Sequence, residues 1–166
     1  MESVYRIAPM EAASAGQILG WRYDGIYSLY DFGEEDGGRD ELMSGAYYAA
    51  FGPDGALVGY YCYGQAAVIP TTDAAAYPDG YLDIGLGMRP DLCGKGLGYR
   101  FLLDGLAFGR QAFHAKTWRL TVASFNRRAI KVYRRAGFRE GAVLVHGGTG
   151  EQFQIMTMES AGPEGV

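Results

Sequence analysis

Apolar and polar positions alternate most cleanly between Leu82 and Met88, where Ile84, Leu86 and Met88 interleave with Asp83, Gly85 and Gly87. A period of two predicts a strand with one apolar face and one face almost free of side chains. Pro90 ends its ladder, having no N–H to donate. Leu97, Phe101 and Phe108, with Leu102, Leu106 and Phe113, then recur at helical spacings. Upstream, Val4 to Ala8 alternates weakly as a first strand, and Pro9 opens a helix from Met10 to about Leu19. Tyr23, Ile26, Tyr27, Leu29, Tyr30 and Phe32 suggest a helical or irregular aromatic segment. Gly33 to Glu41 has nothing to bury and reads as a mobile surface loop. Ala46–Phe51 and Leu57–Tyr63 are strands joined by the turn Gly52-Pro53-Asp54-Gly55, and Val68 to Gly80 is a loop.

Downstream, Arg119–Ala123 is a short strand. A helix follows, capped by Asn126 and stopped by Gly137, with Ala129, Val132, Tyr133 and Ala136 on one stripe. Ala142–Val145 and Phe153–Met158 close the chain as strands around a glycine turn. This order predicts one α/β domain, a mixed sheet with helices on both faces, over residues 1–160 with a frayed tail at 161–166.

Composition narrows the function. A length of 166 residues with 48% hydrophobic and 20% charged positions suits one globular domain with a full core. Net charge of −4 argues against a general nucleic-acid binder. Cys62 and Cys93 show no metal-ligand spacing, so no metal is expected. Neither a secretory signal nor a membrane span is visible, and the expectation is a cytoplasmic protein with no membrane partner.

The chemistry sits after the central strand. Gly94, Lys95, Gly96, Leu97 and Gly98 lead straight into a helix N-terminus, where unpaired N–H groups and the positive end of the dipole stabilise phosphate. The same glycines also make an ordinary tight turn. The loop lacks the Lys-Ser or Lys-Thr pair of a Walker A motif and the downstream acidic residue of a dinucleotide fold.

Two motifs in order then carry a resemblance. Cys93-Gly94-Lys95-Gly96-Leu97-Gly98 fits Q/R-x-x-G-x-G/A from its fourth position onward, and Asn126, Ala129, Tyr133, Gly137 and Phe138 fit N…A…Y…GF. The chain resembles the GCN5-related N-acetyltransferases over most of its length. Cys93 departs from the family's Gln or Arg. The resemblance implies a single-domain, mostly antiparallel sheet of six to seven strands flanked by about four helices. It also implies acetyl-CoA as co-substrate and a small-molecule or peptide amine as acceptor, met by direct attack in a ternary complex. A non-catalytic acyl-CoA-binding regulatory domain is the alternative, and a homodimer stays open.

By that resemblance, Cys93, Gly94, Lys95, Gly96, Leu97, Gly98 and Tyr99 hold the diphosphate, with Asn126 at the start of the last helix. Leu86, Gly87 and Met88 pair with the pantetheine arm, the bare face at Gly85 and Gly87 admitting it, and Met88 N–H polarises the thioester. Arg127, Arg128, Lys131, Arg134 and Arg135 form a basic face that is mostly solvated, and either Arg127 or Arg128 reaches the 3′-phosphate or both belong to that face. Tyr133 is the general acid, against a plain reading as one more buried ring. A tyrosine near pKa ~10 protonating a thiolate near ~8.5 works uphill by about 2 kcal/mol, a small part of a barrier. Asp83 is either the general base or a strand-end carboxylate holding a neighbouring amide. Glu34, Glu35 and Asp36 either attract a cationic amine or form a solvated loop. Trp21, Tyr23, Tyr27 and Tyr30 line the acceptor pocket or belong to the core.

Overall fold

The computed structural model describes residues 2–71 and 77–159, so the tail at 161–166 lies outside the described residues. Seven strands form one sheet: β1 (Arg6–Pro9), β2 (Tyr47–Phe51), β3 (Leu57–Tyr63), β4 (Leu82–Met88), β5 (Thr117–Ala123), β6 (Arg139–Val145) and β7 (Gln152–Glu159). Their order is β1-β2-β3-β4-β5-β7-β6, and every neighbouring pair is antiparallel except β4 with β5. Four α-helices flank the sheet: α1 (Ala12–Leu19), α2 (Gly38–Leu42), α3 (Gly98–Phe113) and α4 (Arg127–Ala136). This is the α/β single-domain class expected. No helix among the described residues is long and apolar enough to cross a membrane.

The helices divide between two faces because β3 is buried on both. Tyr61 and Tyr63 turn to one side, joining Phe101, Leu102 and Leu106 of α3 and Ile130 of α4. Tyr60 and Cys62 turn to the other, against Ala15, Ile18 and Leu19 of α1 and Leu42 of α2. Tyr61 donates to Phe101 C=O at 2.6 Å and Tyr63 to Gly105 C=O at 2.7 Å, so burial leaves neither hydroxyl unpaired. Any side chain at Gly105 would collide with the Tyr61 ring, and its absence lets α3 lie close on β3.

Two expectations change. Pro9 does not begin a helix. It closes the edge strand β1 opposite Tyr48, where its missing N–H costs no ladder bond, and α1 starts at Ala12. Gly33 to Glu41 is not simply a loop, because it winds into α2. Its acidic side chains stay outside while Leu42, just beyond, is completely buried and anchors the segment against the α1 side.

Candidate active site

β4 has one closed edge and one open edge. Against β3 it pairs through Met88, but against β5 it pairs only at Leu82–Trp118 and Asp83–Arg119. Beyond that point the parallel strands part. Arg89 N–H donates to Val58 C=O at 2.8 Å, which fixes the phase of the β3 ladder. Because the bonds alternate along an antiparallel pair, Met88 and Leu86 turn their N–H and C=O groups away from β3 and into the gap.

That gap opens into a cavity of about 520 Å³ walled by Ile84–Met88 of β4, Leu120–Val122 of β5, the glycine loop and the inner side of α4. Gly94 (φ +74°) and Gly96 (φ +79°) are left-handed, a conformation that glycine adopts without steric cost. α3 begins at Gly98 with no side-chain cap, so its first amides stay available to whatever the loop encloses. Arg128, the second residue of α4, lies over the Tyr27 ring at 4.9 Å, and its Nη1 is 3.1 Å from where a Cβ on Gly94 would sit. Arg135 lies over Tyr99 at 3.8 Å, and both pairs line the cavity. Cationic charge therefore flanks the glycine loop from α4.

Of the residues expected to hold a cofactor, Leu86, Gly87, Met88, Cys93, Gly94, Gly96, Leu97, Gly98, Tyr99 and Asn126 all line this cavity. Lys95 is exposed and outside the lining, as is Arg127. The Cys93 thiol lies 3.7 Å from the carbonyls of Met88 and Arg89. Burial raises its pKa more than nearby Arg128 lowers it, so it is held as a thiol. Asn126 accepts from Ala129 N–H at 3.1 Å, capping α4, and donates to the Tyr30 hydroxyl at 3.2 Å. Tyr133, from the apolar stripe of α4, lines the cavity, and its hydroxyl has no hydrogen-bond partner among the described residues. Burial pushes its pKa above the ordinary tyrosine value, with neighbouring Tyr30 adding to the rise. It stays protonated through neutral pH.

Asp83 is not brought to the cleft. It is 4% exposed and its two carboxylate oxygens accept from Arg119 at 2.7 and 2.8 Å. Arg119 also donates to Pro78 C=O at 2.7 Å and lies over Tyr77 and Tyr81. A carboxylate with both oxygens held by one guanidinium is committed to that partner, so Asp83 takes the structural alternative. The pair locks the last register of β4 and β5 before they part.

The glycine face of β4 also differs from expectation. A side chain at Gly85 would come within 2.7 Å of Cys62 Sγ, and one at Gly87 would collide with the ring and hydroxyl of Tyr60. Side chains of β3 fill that face, so a ligand can pair with β4 only along the open edge. Two tyrosines meet that edge: Tyr23, expected in the acceptor pocket or the core, and Tyr60, which the sequence did not single out. Tyr23 donates its hydroxyl to Met88 C=O at 2.6 Å. Tyr60, 8% exposed, lines the cavity, and its hydroxyl has no partner among the described residues. Alternation along β3 separates Tyr60 from Tyr61 and Tyr63, but nothing local says that it lacks a partner. Glu34 is exposed and paired with Arg39, while Asp36 lines a second, smaller cavity. Among the described residues no cluster of His, Cys, Asp or Glu is arranged to hold a metal ion.

Residues 14–138 match the model of the acetyltransferase (GNAT) family. No curated protein matches in sequence. Among solved structures, a GNAT-family acetyltransferase from Bacillus anthracis superposes with a TM-score of 0.72 at 16% identity, covering 96% of each chain. The aminoglycoside N(6')acetyltransferase from Legionella pneumophila gives 0.69 at 19% identity, covering 96% of this chain and 94% of its own. The spermidine N-acetyltransferase from Vibrio cholerae in complex with CoA and spermine gives 0.64 at 16%, covering 96% and 97%.

Proposed function

We propose, from the premise that the chain belongs to the acetyltransferase (GNAT) family, that it moves an acetyl group from acetyl-CoA to a primary amine of a small molecule or peptide by direct attack in a ternary complex. The observation that carries this reading is the parting of β4 from β5, which leaves the polar groups of Leu86 and Met88 facing a cavity that ends at the glycine loop. These residues fit acetyl-CoA. An open strand edge suits an amide-bearing arm, as in strand addition. Left-handed glycines, a free helix N-terminus and Arg128 suit a diphosphate. When bound, acetyl-CoA supplies a thioester carbonyl open to an amine.

The protein's part in the reaction is to position, polarise and protonate. Met88 N–H is placed to donate to the carbonyl oxygen as negative charge grows there. Arg128 supplies the charge that Cys93 does not, standing for the Gln or Arg otherwise expected at that end of the loop. Tyr133 gives its proton to the departing thiolate. Burial makes that tyrosine a weaker acid than one in water. Loss of the proton from the amine runs through water to solvent, since Asp83 is committed to Arg119.

The unpartnered Tyr133 hydroxyl favours this over a sensor that only binds acyl-CoA, which needs no acid. Both cysteines are free, which fits a reducing, cytoplasmic setting. A screen of amines with acetyl-CoA, read by thiol release, is expected to find an acceptor whose turnover collapses in Tyr133→Phe. Thiol release at the wild-type rate in that variant would refute the acid role.

A further inference from the structure

Met88 is the last residue of β4, and its carbonyl is already taken. Tyr23, 65 positions upstream, donates its hydroxyl to Met88 C=O at 2.6 Å. The Cys93 thiol, from the glycine loop, lies 3.7 Å from the same oxygen. The peptide that carries this carbonyl is held at its other end too, since Arg89 N–H donates to Val58 C=O at 2.8 Å. A planar peptide bonded through both its C=O and its N–H cannot turn without losing a bond, so the end of β4 is fixed ahead of Pro90.

Tyr23 is itself anchored. Its backbone N–H donates to Asp31 Oδ1 at 2.9 Å, closing a loop around the short 3₁₀ helix Gly25–Tyr30. Inside that loop Tyr27 N–H donates to Asp24 C=O and Asp31 N–H to Ser28 C=O, each at 3.0 Å. The side chain lines the cavity beside β4. Burial pushes its pKa up, with nearby Cys93 and Asp31 adding to the rise, so the hydroxyl remains a donor through neutral pH.

The contact changes what the open edge of β4 offers. Leu86 and Met88 each turn an N–H and a C=O into the gap. Left alone, that edge would let an amide-bearing arm pair at either residue, in registers about 6–7 Å apart. With Met88 C=O occupied, Leu86 C=O is the acceptor left for an arm's N–H. We infer that Tyr23 is a positioning residue that sets the register of the thioester-bearing arm, closing Met88 C=O so that the arm pairs with Leu86 C=O and Met88 N–H. The inference rests on the acetyl-transfer reading, in which Met88 N–H polarises the thioester. Tyr23 acts through Met88 and takes no part in the proton transfers.

NMR of acetyl-CoA labelled with carbon-13 at its carbonyl tests this, with calorimetry of acetyl-CoA binding beside it. On the wild type the carbonyl resonance is expected to move downfield on binding, as Met88 N–H draws on the oxygen. Tyr23→Phe keeps the ring and loses the donor. It is expected to bind acetyl-CoA within about threefold of the wild type, because a shifted arm finds an equivalent acceptor. Most of the downfield shift should nevertheless be lost. Asp31→Ala, which releases the Tyr23 backbone, should lose part of the shift, and Asp31→Asn, which keeps an oxygen there, should retain it. A full shift in Tyr23→Phe overturns the inference, as does a fall in affinity beyond the threefold range. Should Tyr23→Phe fail to fold, the two Asp31 variants carry the comparison, and equal shifts in both overturn it. Failure of the acetyl-transfer reading looks different: the wild type itself then binds no acetyl-CoA, and the resonance stays at its free position.

Discussion

The two edges of β4 are made from the same seven residues and have opposite fates. Toward β3 the backbone groups are spent on a ladder through Met88, backed by tyrosines whose hydroxyls are bonded to α3. Toward β5 the ladder stops after Asp83, and the next residues face a cavity. The difference is one of completion. On the closed side the tyrosine hydroxyls and the ladder are satisfied, whereas on the open side the Leu86 backbone, the Met88 N–H and the hydroxyls of Tyr60 and Tyr133 have no partner among the described residues, Met88 C=O accepting from Tyr23. Asp83 and Arg119 stand at the boundary as the last pair joining β4 to β5.

Breaking the closed region should unfold the protein, and breaking the open region should disable it. The largest effect is expected at the boundary. Asp83→Ala leaves Arg119, 5% exposed, without its carboxylate and should destabilise the fold by about 3–5 kcal/mol in urea unfolding. A loss under about 1 kcal/mol would mean the pair does not hold the strands together. Tyr133→Phe removes a hydroxyl that has no partner among the described residues, so unfolding should shift by less than about 0.5 kcal/mol. Its turnover should nevertheless fall about a hundredfold. Arg128→Ala should weaken CoA binding about tenfold and flatten its dependence on salt, with little effect on turnover at saturation.

The smallest effect concerns pH. Tyr133 has its pKa raised by burial, so the protonated form that the proposed acid role requires persists to higher pH than an ordinary tyrosine would allow. Turnover should rise as the amine deprotonates and then hold level to about pH 10, where an unperturbed tyrosine would already be half ionised. A fall beginning a unit or more below that would contradict the burial of this hydroxyl.

Much of this division is local and therefore visible in the sequence. The alternation of Leu82–Met88, the glycines after Pro90 and the stripe that carries Tyr133 each lie within a few turns or one strand, so periodicity alone places them. The parting of β4 and β5 is not local. It depends on Asp83 meeting Arg119, 36 positions away, and no spacing rule reports a partner at that distance. Asp83 was consequently open to two roles, and only its bidentate pairing separates them. The filled glycine face escaped for a similar reason, since what occupies it comes from Tyr60 and Cys62 of another strand. α2 was hidden by its brevity and by an acidic composition that describes its outer side only; Leu42 alone supplies the anchor.

Residue-resolved amide hydrogen exchange, with and without saturating CoA, tests the two-edged strand most directly. The account predicts that CoA slows exchange at Leu86 and Met88, at Gly94 and Gly96, and in the first turn of α3, while Gly85 and Gly87, already bonded to β3, change little. Unchanged exchange at Leu86 and Met88 in the CoA-saturated protein would contradict it.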